Sequence, residues 1–146
     1  MKETDILVGQ RVIGSGAEVF VIAEIGINHD GSLAQAEMLI DAAAASGADA
    51  VKFTSYRTDR LLIPSRDRHA PQCSGSGTAY QTLRRCELSW KNQEKLKAHA
   101  DKCGILFLST PFDEESADFL DSIDVPVFKV ASSDITHVRL LRHIAS

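Results

Sequence analysis

Ala50-Val51-Lys52-Phe53 and Val127-Phe128-Lys129-Val130 are two short apolar stretches, each with a lysine inside it. Each predicts a buried strand, because brief apolar runs that follow helical segments mark parallel strands covered on both faces. An ammonium in such a strand loses its hydration, at a cost of several kcal/mol unless an anionic group meets it. One lysine of this kind can be paired structurally or can snorkel outward. Two of them, in similar places of two successive units, point to a shared anion-binding pocket.

Outward from these stretches the chain reads as alternating strands and helices. Residues 6–13 predict a small hairpin turning at Gly9-Gln10, and Gly14-Ser15-Gly16 then breaks the chain. Residues 1–16 are thus an N-terminal β-hairpin, and residues 17–146 a βα region. The first long strand runs from Glu18 to Ile25; being apolar from Val19 to Ala23, it reads as central rather than edge. Ser32 can cap a helix with Ala36, Leu39, Ile40, Ala43 and Ala44 on one face, and Gly47 sits where a left-handed C-terminal cap belongs. The second strand, Ala50 to Thr54, is followed by a long polar connection from Ser55 to Glu87. A connection of that length is usually a functional lid or a mobile segment. Leu61-Leu62-Ile63 would anchor its start, and Ala79 to Arg85 would form a short helix. Ser89 caps the next helix, which runs to Cys103 and ends at Gly104. The third strand, Ile105 to Ser109, stops at Thr110-Pro111. Asp113 caps a helix through Ala117 and Leu120, Pro126 opens a fourth strand from Val127 to Ala131, and a last helix contains Leu140, Leu141 and Ile144.

This is an α/β order with right-handed crossovers. Four βα units suit either a doubly wound sheet or half of a (β/α)8 barrel, which needs about 250 residues. A half barrel leaves its first and fourth strands with unpaired edges, which invites self-association.

Composition narrows the function. A formal charge of −4 argues against nucleic acid or an acidic membrane as main partner, so any anion site must be a local focus of positive charge. The three cysteines, Cys73, Cys86 and Cys103, make no CxxC motif, and with no signal peptide in view they predict reduced thiols in a cytoplasm. Cys103 reads as a helix-end packing residue. No apolar run approaches the ~18–20 residues of a membrane span. His69, His99, His137 and His143 make no metal-ligand spacing, and there is no Walker loop or GxGxxG.

Ligands of both architectures bind outside the carboxyl ends of the strands. The polar residues predicted there are Glu24; Lys52 and Thr54; Ser109 and Thr110; then Lys129, Ser132, Ser133 and Asp134. Two ammoniums and several hydroxyls make a phosphate or carboxylate cradle. Glu24 could hold a sugar hydroxyl or act as a general base, its structural alternative being a pair with Lys52. Asp134 could handle a proton or cap the last helix. Asn28 and His29 could line the pocket, although a histidine in a turn is more often a structural hydrogen-bonder.

Four stretches carry a family likeness: Ala23-Glu24-Ile25-Gly26-Ile27-Asn28-His29-Asp30-Gly31, Gly47-Ala48-Asp49-Ala50-Val51-Lys52-Phe53, Leu108-Ser109-Thr110-Pro111-Phe112-Asp113 and Phe128-Lys129-Val130-Ala131-Ser132. Together, from about Ile6 to Ser146, they resemble the sialic acid (N-acetylneuraminate) synthase family. The resemblance implies the first half of a TIM (β/α)8 barrel, with the opening hairpin covering its bottom. It implies an enzyme that condenses phosphoenolpyruvate with N-acetylmannosamine or a related N-acetylated amino sugar, giving a nine-carbon 2-keto acid and phosphate. C3 of phosphoenolpyruvate attacks the open-chain aldehyde, polarised by a divalent metal (Mn or Mg); water adds at C2, and the C–O bond to phosphate breaks. By motif position Lys52, Thr110, Lys129 and Ser132 would hold phosphoenolpyruvate and Glu24 the sugar.

Three positions depart from the family pattern. Thr54 stands where many members have a sugar-contacting glutamine, Asp134 where glutamate is common beside the reacting carbons, and Asp30 where asparagine is usual. The family's metal-binding histidines and the small C-terminal domain that closes the site across a homodimer fall outside these 146 residues, so the resemblance implies that the chain alone is inactive. Two other functions stay open at this point: a non-catalytic phosphate- or carboxylate-binding module, and a synthase for legionaminic or pseudaminic acid.

Overall fold

The computed structural model of the chain describes residues 5–63 and 78–146. The middle of the long polar connection, with His69 and Cys73, lies outside the described residues, and so does the lid expected there.

A parallel three-stranded sheet forms the centre, in the order β3 (Ile22–Gly26), β4 (Ala50–Ser55), β5 (Leu106–Pro111). Alternation along β4 splits its side chains between two environments. Val51, Phe53 and Ser55 face the covering helices, and Lys52 and Thr54 face the other way. Helices α1 (Leu33–Ala45) and α4 (Trp90–Cys103) cover the first face and pack on each other. Ile40, Val51, Phe53, Leu96, Phe107 and Leu120 form the core between them. Phe53 and Phe107, neighbours across β4 and β5, stack at 5.1 Å.

Local chemistry sets the helix ends where the sequence places them. Ser32, Ser89 and Asp113 each accept a hydrogen bond from the backbone N–H three residues on, starting α1, α4 and α5 (Glu114–Ser122). Gly47 and Gly104 follow α1 and α4 in the left-handed conformation. The expected short helix is α3 (Ala79–Cys86), opened by a reciprocal capping box between Thr78 and Gln81. A one-turn helix, α2 (Thr58–Leu61), follows β4, and Ile63 lies exposed rather than anchored. Glu87 ties the two ends of the polar connection together: it accepts from the Thr58 N–H at 2.9 Å and hydroxyl at 2.7 Å, and from Arg57 at 3.2 Å.

The hairpin, β1 (Ile6–Val8) and β2 (Arg11–Ile13), lies at the amino ends of the sheet strands. Arg11 Nη1 meets Asp49 Oδ1 at 2.5 Å, just before β4, and the second Asp49 oxygen accepts from the Val21 N–H at 2.7 Å. Gly9, at φ +59°, packs so close to β5 that a Cβ there would lie 3.1 Å from the Leu106 side chain. Among the described residues no helix is long and apolar enough to cross a membrane.

Two expectations need correction. The first sheet strand is shorter than Glu18–Ile25, and among the described residues β3 pairs with β4 alone, leaving Val19 82% exposed. Apolar character reports that a strand is covered somewhere, not that a partner within this chain covers it. The fourth strand, Val127–Ala131, does not form as a ladder. A single parallel bridge joins Phe128 to Ser109, and the Lys129 N–H donates to the Ser109 carbonyl at 3.1 Å. Pro126 contributes no N–H, and no further strand pairs with this segment among the described residues, so it stays an extended edge. Lys129 is therefore exposed, not buried in a strand. After it come a single 3-10 turn, Ser132–Asp134, and α6 (Val138–Ile144).

Candidate active site

Parallel register sets the site. Glu24 stands beside Lys52, Lys52 beside Leu108, and Thr54 beside Thr110, so Glu24, Lys52, Thr54 and Thr110 share the sheet face turned away from α1 and α4. Thr54 and Thr110 sit toward the carboxyl ends of β4 and β5, and Glu24 and Lys52 lie mid-strand, one alternation nearer the amino ends. The bridge at Ser109 brings the Lys129 backbone to the same end of β5.

Lys52 is buried, as its place in an apolar strand predicts, and its Nζ lies 2.6 Å from Glu24 Oε1. The structural alternative for Glu24 is thus realised. The pairing is lopsided, because the Lys52 side chain is 8% exposed and that of Glu24 60%. Glu24 keeps an oxygen open to an incoming group while it supplies the anion that buried Lys52 requires. Among the described residues Lys129 makes no ion pair.

Two polar atoms at this end are buried without a hydrogen-bond partner among the described residues: Thr110 Oγ1 and Asp134 Oδ2. Such groups are costly and call for a partner. Asp134 does not cap α6, whose first turn has no side-chain cap; its other oxygen accepts from Ser133 at a long 3.4 Å. Ser132 and Ser133 are exposed. Thr54 reaches across to β3, its hydroxyl donating to the Gly26 carbonyl at 3.4 Å.

The turn after β3 is largely self-supporting. Asn28 donates to the Ile25 carbonyl at 2.9 Å, and its own carbonyl accepts from Gln35 at 3.0 Å. Asp30, in the left-handed region at φ +51°, meets Arg85 of α3 at 2.7 Å, which gives this departure a structural role as an ion pair that asparagine would reduce to a neutral hydrogen bond. Ser55 and Ser109, pointing to the helix side, share a 2.7 Å hydrogen bond, and Ser55 meets Gln93 at 2.6 Å. Ser109 is thus part of a buried strut between β4, β5 and α4 rather than of the rim, a role invisible until register is known.

His29 is buried against Phe53, and its Nδ1 accepts from the Gly31 N–H at 3.1 Å. It is the structural hydrogen-bonder expected of a histidine in a turn. Burial holds its imidazole below the ordinary value of about 6.5, against the raising effects of Gly26 and Asp30. In that window the unfolded chain binds a proton that the folded one does not. Its share of stability is therefore complete above about pH 6.5 and declines as the pH falls toward the folded value. Urea midpoints should drop between about pH 7.5 and about pH 5.5, and by less in His29→Gln.

The described rim residues do not compose a divalent-ion site: Glu24 is paired with Lys52, and Asp134 is the other carboxylate among the predicted rim residues. The three ligating side chains that do converge among the described residues, Asp41, His99 and Cys103, lie on α1 and α4.

A parallel sheet backed by helices and underlaid by a hairpin, with a lysine buried on its inner face, has the arrangement of the opening βα units of a (β/α)8 barrel. A structure with this arrangement is the sialic acid synthetase of Leptospira borgpetersenii in complex with citrate, which superposes with a TM-score of 0.82 at 33% identity over 97% of this chain and 46% of that one. The spore coat polysaccharide biosynthesis protein SpsE of Bacillus subtilis gives a TM-score of 0.75 at 38% identity, over 97% of this chain and 37% of that one. In sequence, the N,N'-diacetyllegionaminic acid synthase of Legionella pneumophila is 42% identical over 144 residues, 94% of this chain and 40% of that protein. The NeuB family model matches residues 39–146, and the chain belongs to the NeuB family. It spans about two fifths of the length of the curated relatives it matches.

Proposed function

We propose that this chain supplies the phosphoenolpyruvate-binding part of a nonulosonic acid synthase, which joins phosphoenolpyruvate to N-acetylmannosamine or a related N-acetylated amino sugar and releases phosphate. What carries the reading is the shared inner face of Glu24, Lys52, Thr54 and Thr110, with Thr110 Oγ1 buried and unpartnered among the described residues. In it Lys52 and Lys129 bring positive charge to the carboxylate and phosphate, and Thr110 and Ser132 orient them through their hydroxyls. Glu24, with one oxygen on Lys52, offers the other to a sugar hydroxyl. Asp134 stands beside the reacting carbons, where its carboxylate serves proton transfer. As C3 of phosphoenolpyruvate bonds to the aldehyde carbon, positive charge builds at C2; water adds there, and the C2–O bond breaks to release phosphate. Ammoniums that clamp the multiply charged substrate and stabilise the oxyanion and phosphate that develop are the largest contribution such a site can make. A divalent ion bound in the complete enzyme would supply Lewis-acid polarisation of the aldehyde, and the rim residues described here offer no ligand set for it. The complete enzyme is a homodimer in this reading, working in the cytoplasm.

Lys129→Met tests the assignment in a full-length protein carrying this sequence. Phosphoenolpyruvate-dependent phosphate release should be abolished, with the fold unchanged because Lys129 is exposed. Retained release removes the role. Presenting several N-acetylated amino sugars identifies the acceptor, with Thr54 the position where selectivity should respond to substitution.

A further inference from the structure

On the helical layer, Asp41 of α1 faces His99 and Cys103 of α4. His99 and Cys103 are four residues apart and share one helix face. Their ligand atoms and an Asp41 oxygen all lie within 4.8 Å of one another. Histidine spacing and CxxC motifs alone do not reveal this set, since one member comes from another helix and the pair on α4 mixes two residue types.

We propose that Asp41, His99 and Cys103 bind a zinc-class divalent cation that staples α1 to α4. The donor set decides the class: one thiolate, one imidazole and one carboxylate suit zinc or cobalt and ill suit magnesium or calcium. The charges also balance, because Asp⁻ and Cys⁻ with neutral His cancel a dication at a half-exposed site. Cys103 Sγ to Asp41 Oδ1 is 3.4 Å, close to the separation of about 3.5 Å between sulfur and oxygen ligands on tetrahedral zinc. His99 Nε2 to Asp41 Oδ1 is 2.7 Å, so the carboxylate has to swing until the two are about 3.3 Å apart. Asp41 can do this, since its side chain is 58% exposed. Solvent fills the fourth position.

Placement separates this site from the rim. Cys103 ends α4, and Gly104 and Ile105 lead straight into β5, so the cluster lies toward the amino ends of the strands. The carboxyl ends carry Thr54 and Thr110. Burial, then the neighbouring Asp41, pushes the Cys103 thiol up. Without metal it therefore remains S–H, poor as a nucleophile or redox thiol, and binding the cation releases that proton.

Cobalt(II) titration of the 146-residue chain reads the site directly. One equivalent should produce thiolate-to-cobalt charge-transfer absorption in the near ultraviolet and tetrahedral bands in the visible. Cys103→Ser should remove the charge-transfer band, while Cys73→Ser/Cys86→Ser should keep it. Asp41→Asn, which alters only an exposed side chain, should weaken binding by about 10–100-fold, as even loss of an outer-shell partner does. Zinc should raise the melting temperature of the parent chain and not of Asp41→Asn. Absence of one-to-one cobalt binding, or a charge-transfer band that survives Cys103→Ser, overturns the proposal. Should Cys103→Ser fail to fold, unchanged affinity in Asp41→Asn overturns it equally.

Discussion

Lys52→Met, in a full-length protein carrying this sequence, is expected to cut phosphoenolpyruvate-dependent phosphate release by about 10²–10³-fold or more, the range seen when one preorganised electrostatic partner is removed from an active site. The ammonium is buried in β4 and opposite Glu24 at 2.6 Å, so its position is held before any ligand arrives. The pairing changes the simple picture of two free cations. A multiply charged anion must share Lys52 with Glu24, whereas exposed Lys129 brings uncommitted charge. Methionine fills the space of the lysine stem, and Glu24, 60% exposed, stays hydrated once its partner is gone. The usual penalty for breaking a buried pair, an uncompensated buried charge, is thus largely avoided. Phosphate release and far-ultraviolet circular dichroism on the same preparation separate the outcomes. Release within about threefold of the parent would sink the role of Lys52, given how much such a partner normally contributes. A melting temperature that falls while activity per folded molecule holds would assign Lys52 to structure alone.

Phe107→Ala should give the largest loss of stability, about 3–5 kcal/mol. The ring is 1% exposed, stacks on Phe53 at 5.1 Å, and belongs to the core shared by the sheet and its helices. Phe53 in turn lies 5.9 Å from His29, so the stack links the core to the turn that ends β3. Against a typical total of about 5–15 kcal/mol, that loss is about a fifth or more of the stability. Met38→Ala is the control: at 70% exposed on α1 it should change stability by no more than about 0.5 kcal/mol. Urea denaturation measures both. A Phe107→Ala cost below about 1 kcal/mol would mean that this stack is not where the fold holds together.

The elements most legible in the sequence are those whose causes are local. Ser32, Ser89 and Asp113 cap helices because a short side-chain oxygen reaches an N–H three residues on, wherever the helix later packs. Gly47 and Gly104 end helices because their backbone tolerates positive φ. The buried place of Lys52 follows from an apolar stretch of strand length, and the family likeness from four short motifs in order. Where covering depends on distant chain, the reading fails. Val19–Ala23 looks like a central strand, yet only Ile22 and Ala23 enter β3, which pairs with β4 alone among the described residues, and Val127–Ala131 looks like a strand yet makes one bridge.

By itself, then, the sequence determined the α/β class, the caps of the main helices and the family to which the chain belongs. Tertiary structure alone decided that Lys52 is met by Glu24, that Ser109 turns inward to Ser55 and Gln93 rather than to the rim, and that Asp41 comes to His99 and Cys103. Caps and alternation act over a few residues and are written where they act. A contact across two strands or two helices exists only once register and packing have placed residues tens of positions apart, and no single segment encodes that.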